Sequence, residues 1–122
     1  GTVTFDTVLE TFKEIFNDVE ILYFQSNSEG EIIDFIQKNS EGASGIVINA
    51  GAYTHTSVAI RDALANVRIP KIELHISNVF QRETFRHHSF LSAVCDGVIA
   101  GMGLQGYEWA VRHVLYLSDQ RE

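Results

Sequence analysis

The most constraining feature of this chain is a repeated change of hydrophobic period, in which helical spacing gives way to short, unbroken apolar runs. Gly45-Ile46-Val47-Ile48-Asn49 is apolar on both faces until its last residue. A strand of that kind needs cover on both sides, which parallel sheets obtain from crossover helices. The neighbouring segments supply such helices. Phe5, Val8, Leu9, Phe12, Ile15 and Phe16 recur at helical spacing, with Thr4 or Asp6 available as a cap. Ser28 and Glu31 form a capping-box pattern ahead of Ile32, Ile33 and Ile36. Ser57 opens a helix through Val58, Ala63, Leu64 and Val67 that must stop before Pro70. A last helix is expected from Leu104 to about Leu117. Strands are expected over 19–25, 45–49, 71–76 and 97–100, the first on its β-branched and aromatic content. The fold class is therefore α/β, one domain over 1–122, with a parallel sheet between helices. Such domains ordinarily open on a central strand, whereas this chain opens on a helix, so an N-terminal piece is expected to be absent.

Composition narrows the function. With 9 Lys and Arg against 16 Asp and Glu, the net charge of −7 disfavours nucleic acid or an anionic membrane as partner. The single cysteine, Cys95, builds neither a disulfide framework nor a thiolate metal site, and packing is its expected role. No apolar run approaches the roughly 20 residues of a membrane span. The five histidines show no HxxxH or HExxH spacing, so no metal is expected.

Ligands of parallel α/β sheets bind beyond the carboxyl ends of the strands. That rule singles out the segments after Asn49, after His75 and at Gly101. Glu73 precedes His75 by two in a strand, so both side chains lie on one face. A carboxylate there orients the imidazole and stabilises its protonated form, which prepares a general acid. Asn49 stands at a strand end before small residues that let a ligand approach, and His55 lies near a helix start. Arg82 and Arg86 belong to the only concentrated cationic stretch. They suit a small carboxylate, or alternatively form a surface network with Glu83. Gly101-Met102-Gly103-Leu104-Gln105-Gly106 matches the GxGxxG fingerprint of dinucleotide sites. Only about 16 residues follow it, too few for the strand and acidic residue such a unit requires. A tight turn with close packing explains these glycines; an anion- or nucleotide-binding module is the alternative function.

Several stretches together resemble the type II 3-dehydroquinate dehydratases. They are Gln25-Ser26-Asn27-Ser28-Glu29-Gly30, Ile48-Asn49-Ala50-Gly51-Ala52-Tyr53-Thr54-His55-Thr56-Ser57, Ile72-Glu73-Leu74-His75-Ile76-Ser77-Asn78 and Arg82-Glu83-Thr84-Phe85-Arg86. Gly97 to Gly101 and Gln105-Gly106-Tyr107 also fit. The resemblance implies a flavodoxin-like three-layer sandwich with strand order 2-1-3-4-5 and a trimer-based cytoplasmic dodecamer. It also implies removal of water from 3-dehydroquinate to give 3-dehydroshikimate, the third step of the shikimate route, without metal or organic cofactor. By the same resemblance His75 is the acid, Glu73 its orienting partner, and Asn49 a holder of substrate and, through a water, of the enolate oxygen. His55, Ile76 and Ser77 and Arg86 match substrate-binding positions, Asp62 one that reaches a neighbouring subunit's site, and Arg82 a cation that helps acidify the base. The family's base is a tyrosine on a lid with an arginine, both ahead of the first helix. Neither Tyr23 nor Tyr53 occupies that position. The resemblance thus implies that the first strand and lid are missing here; the missing segment is expected either as a separate, nicked N-terminal fragment carrying the tyrosine or as otherwise omitted from this sequence.

Overall fold

The computed structural model describes residues 4–121. Three parallel strands, β1 (Ile46–Ile48), β2 (Lys71–His75) and β3 (Gly97–Ala100), form one sheet in the order β1-β2-β3. The register pairs Val47 with Ile72 and Ile72 with Gly97. The described residues also form four α-helices: α1 (Phe5–Ile15), α2 (Glu29–Asn39), α3 (Val58–Ala65) and α4 (Gly106–Gln120). The strand expected over 19–25 is corrected: residues 20–26 run without regular structure, and none of the three strands pairs with them. β-branched and aromatic residues describe a fit to a pleated surface, and without a neighbouring ladder they make no strand. Aromatic contacts hold this segment instead, with Tyr23 stacked on Phe5 and Phe24 on Phe35 at 4.6 Å each. The rest of the expected 2-1-3-4-5 order has no counterpart among the described residues.

The helix starts follow their caps. Thr4 accepts from the Thr7 amide, Ser28 from Glu31 and Ser57 from Ile60. The capping box at Ser28 closes through a third residue, because Ser26 Oγ accepts from the Ser28 amide and donates to Glu31 Oε2 at 2.9 Å. α4 begins two residues later than expected, after a 3-10 turn over Gly103–Gln105, and runs on to Gln120. No proline or glycine stops it, and Arg121 anchors its end by donating to Asp96 Oδ1 and to the Arg68 carbonyl, both at 2.8 Å.

Alternation along β2 divides the core. Ile72 and Leu74, both essentially without solvent contact, meet Ala110 and Val114 of α4. On the opposite face β1 contributes Ile48 to a cluster with Ile36 of α2, Ile60, Ala63 and Leu64 of α3, and Leu91. Helices therefore cover both faces, as the doubly apolar strands require. Every residue of β2 is buried, including Lys71, Glu73 and His75. The backbone of Gly45 lies against α4: a Cβ there would stand 2.1 Å from Val114 Cγ1 and 3.0 Å from the Pro70 carbonyl.

Candidate active site

The central strand carries two polar side chains into the interior at its carboxyl end. Period-two alternation puts Glu73 and His75 together, and His75 Nε2 donates to Glu73 Oε2 at 2.5 Å. Glu73 is 1% exposed and His75 7%, which excludes water from competing for that bond. Burial is the strongest single influence on Glu73 and pushes its carboxyl up. Hydrogen bonds from His75, Ser92 and Ser89, with the charge of His75, together outweigh it and hold the carboxyl below the ordinary range. Glu73 therefore stays an acceptor, and His75 presents its other ring nitrogen.

A cavity of about 250 Å³ opens beside this pair, with His55, His75, Arg86, His87 and His88 among its lining residues. His55 comes from the 3-10 turn Gly51–His55 that follows β1. Its ring lies nearly parallel to that of His75, centroids 6.1 Å apart, while the Phe85 ring meets it edge-on at 6.3 Å. His55 Nδ1 donates to the His88 carbonyl at 2.7 Å. A carbonyl only accepts, so Nδ1 carries the proton and Nε2 is left for a ligand.

Arg86 reaches the cavity from the 3-10 turn Thr84–His87. Its Nε donates to Glu83 Oε2 at 2.5 Å, which leaves both terminal nitrogens without a protein partner among the described residues. A guanidinium anchored through Nε and open at its fork suits a bidentate carboxylate. Arg82 stands nearby but outside the lining, 3.8 Å from Glu83 Oε1 and half exposed. Both readings of the cationic stretch therefore meet in one arrangement. Glu83 makes the surface network with Arg82 and Arg86, and Arg86 still faces the cavity. The hydrogen bond from Arg86, with the charges of Arg86 and Arg82, holds the Glu83 carboxyl below the ordinary range.

Asn49 stands one residue beyond β1, away from the cavity lining. Its Oδ1 accepts from the Gly51 amide at 3.2 Å and its Nδ2 donates to the Tyr107 hydroxyl at 3.3 Å, so the amide has one orientation. Burial pushes the Tyr107 hydroxyl above its ordinary range, with Tyr23 adding to the shift and Asn49 opposing it. Tyr107 is thus a neutral group that keeps a proton to donate. Ile76 and Ser77 follow β2 directly; Ile76 is partly exposed and its carbonyl accepts from the Gly103 amide at 2.9 Å. Asp62 lies on α3, exposed and paired with Arg61 at 3.2 Å, outside the cavity of its own chain.

The structure brings Glu73, His75, His55 and Arg86 to one cavity and leaves Asn49, Ile76, Ser77, Arg82 and Asp62 outside its lining. It adds three residues to which the sequence reading gave no role. Ser89 and Ser92 bond to Glu73, and Tyr107 bonds to Asn49. Their separations of 16, 19 and 58 residues from those partners leave no local pattern. The Ser-x-x-Ser spacing ahead of a turn is the one signal a sequence offers for the first two.

The glycine turn has a backbone explanation. Gly101 and Gly103 adopt φ of +84° and +62°, conformations that favour glycine. Gly106 lies against Leu74, where an added Cβ would come within 3.0 Å of Leu74 Cδ1. Among the described residues no three His, Cys, Asp or Glu side chains gather as a metal site, and no helix is long and apolar enough to cross a membrane. The Cys95 thiol packs beside the α2–α3 cluster and is pushed up to about 12 by burial, with the Glu73 and Asp96 charges adding to the shift against Lys71.

Comparison with known proteins places the chain in a family. The pattern of the family described as "Dehydroquinase class II" matches residues 1–115. The 3-dehydroquinate dehydratase of Lachnoclostridium phytofermentans is 57% identical over 101 residues, covering 82% of this chain and 70% of that protein. That of Campylobacter jejuni is 53% identical over 104 residues, covering 85% of this chain and 65% of that one. The chain thus spans about two thirds of the length of these curated relatives. The crystal structure of the type II dehydroquinase from Butyrivibrio crossotus superposes with a TM-score of 0.88 at 49% identity, covering 93% of this chain and 81% of that one. These matches disfavour a nucleotide-binding module at the glycine turn. With the family pattern spanning nearly its whole length, the chain belongs to the class II dehydroquinases.

Proposed function

We propose that this chain, acting as one domain over 1–122, eliminates water from 3-dehydroquinate to give 3-dehydroshikimate, the third step of the shikimate route. The observation that carries the reading is the buried Glu73–His75 pair at the end of β2, opening on a cavity that also holds His55 and Arg86. The reaction takes a proton from the carbon beside a ketone, holds the resulting enolate, and expels a hydroxyl that needs a proton to leave as water. His75 is the proton donor in this reading, since Glu73 holds its Nε2 and leaves Nδ1 for the substrate. Arg86 takes the substrate carboxylate through its open fork, with Arg82 as a second cation of the cluster. His55, Ser77 and the backbone at Ile76 bind substrate hydroxyls and carboxylate, and Asn49 holds substrate and, through a water, the enolate oxygen.

The reading calls for no metal and no organic cofactor. It includes assembly as a trimer-based dodecamer in the cytoplasm, in which Asp62 reaches the site of a neighbouring copy. No residue of 1–122 is assigned as the base, and a separate fragment carrying the family's lid tyrosine is the partner invoked for that role. The test is turnover of 3-dehydroquinate, followed through the absorbance of the enone product, for the chain alone and with that fragment added. Enone formation with the fragment added is the expected result, with little or none from the chain alone. Substrate binding without turnover in both would overturn the proposed chemistry.

A further inference from the structure

Glu73 can orient His75 only if its own carboxylate is prevented from turning, and the structure shows what holds it. Oε2 takes the proton of His75 Nε2, while Oε1 accepts from Ser92 Oγ at 2.6 Å and Ser89 Oγ at 3.0 Å. The directions of these bonds are fixed by what the hydroxyls already accept. Ser89 Oγ receives the backbone N–H of Leu91 at 2.9 Å and of Ser92 at 3.1 Å. Both its lone pairs are then occupied, and its one proton is left for Oε1. Ser92 faces an ionised carboxylate and therefore donates as well. Leu91, between the two serines, is fully buried in the α2–α3 cluster and pins the segment to the core.

We propose that Ser89 and Ser92 are positioning residues for the His75 proton donor: they occupy Oε1, so that Oε2 alone faces His75 and the carboxylate cannot turn. This rests on the reading of His75 as general acid. The balance of influences on Glu73 supports it, since burial alone favours the neutral acid, which would be a poorer anchor for an imidazolium. The other ionisable groups nearby do not substitute for the serines. The Cys95 thiol, pushed up to about 12, is neutral across the working range. The Lys71 ammonium is held by the carbonyls of Val67, at 2.5 Å, and Ile69, at 3.2 Å. Arg86 is committed to Glu83, and His55 to the His88 carbonyl.

The test uses Ser92→Ala, Ser89→Ala, the double variant and Ser92→Thr in the full chain together with the tyrosine fragment. Two readouts are taken: the carbon-13 titration of the Glu73 carboxyl by NMR, and the pH profile of kcat. Each lost hydroxyl is expected to raise the Glu73 midpoint by about one pH unit, the scale of one hydrogen bond to a charged group. The acid limb of kcat then moves to higher pH by the same amount. At neutral pH kcat falls about 10-fold in the double variant, a part of the roughly 100- to 10,000-fold that a positioned general acid supplies. Ser92→Thr, which keeps the donor, restores both readouts. An unmoved Glu73 midpoint in Ser92→Ala would overturn the proposal, as would a fall in kcat that the threonine fails to rescue. Ser89→Ala also strips an acceptor from two backbone amides; if it does not fold, Ser92→Ala decides alone. If the wild-type chain shows no turnover at all, the proposed function fails while the NMR midpoint still decides the role of the serines.

Discussion

Glu73 and Glu83 are ten residues apart, each accepts from a basic side chain at 2.5 Å, and each has its carboxyl held below the ordinary range. Their surroundings are opposite. Glu73 is 1% exposed, on the central strand, with all its bonds to other side chains fixed by packing. Glu83 sits between two short turns with about half its side chain in water. The comparison separates a charge that the fold must accommodate from one that solvent would accommodate anyway. Removing a partner from a buried pair strands the other group, whereas an exposed pair trades its bond for water.

The largest expected effect is on chemistry at the buried pair. His75→Ala should lower turnover by about 100-fold or more, the range for losing a positioned general acid, and should also lower the melting temperature, because it strands the buried Glu73 carboxylate. Comparable turnover in the variant would remove His75 from that role. Glu73→Ala should do damage of both kinds. It leaves His75, Ser89 and Ser92 without their common acceptor and should cost about 3–5 kcal/mol of stability, read by denaturant titration, with turnover falling as His75 loses its orientation.

Glu73 also dictates the sign of the acid response. Its folded carboxyl lies below the ordinary value of 4.5, so the unfolded chain binds more protons in the window beneath that value. The stabilisation is complete above about pH 4.5 and is lost as pH falls through the lower folded value. Melting curves against pH should therefore steepen below 4.5 in the wild type, and Glu73→Gln should flatten that limb. Glu83→Gln, whose charge is open to screening by salt, should leave the limb nearly unchanged at moderate ionic strength. Equal flattening by both variants would erase the distinction between the two regions.

An intermediate effect comes from backbone packing rather than charge. Gly45→Ala would drive a methyl into Val114 and toward the Pro70 carbonyl, and the backbone partner cannot swing away. A loss of about 1–3 kcal/mol is expected, the usual cost of overpacking, and relaxation by the Val114 rotamer alone would bring it to the lower end.

How much of this was legible in the sequence follows the same division. Alternation along Ile72-Glu73-Leu74-His75 placed two apolar residues on one face and the acid–histidine pair on the other, and the structure has both. The caps at Thr4, Ser28 and Ser57 were readable because a cap is a local arrangement of a few residues. What escaped depends on tertiary contact. Ser89 and Ser92 reach Glu73 only because Leu91 is buried between them, and Tyr107 meets Asn49 across 58 residues. Val19 to Gln25 has the composition of a strand, but composition cannot supply a pairing partner, and the described residues offer it none.

The smallest effect should come from Glu83 itself. Its bond to Arg86 uses Nε and leaves the terminal nitrogens without a protein partner among the described residues, so the carboxylate acts as a brace for a cavity-lining guanidinium rather than as a competitor for its ligand. Removing the brace in Glu83→Ala frees Arg86 to sample more rotamers without removing its charge. KM for 3-dehydroquinate should rise by no more than about fivefold, the ceiling for an exposed pair, with kcat nearly unchanged and the difference shrinking in high salt. Arg86→Ala, by contrast, removes the fork and should raise KM well beyond that. If the two variants proved equal, Arg86 would depend on Glu83 for its placement as fully as His75 depends on Glu73. The exposed region would then have to be counted as part of the built site.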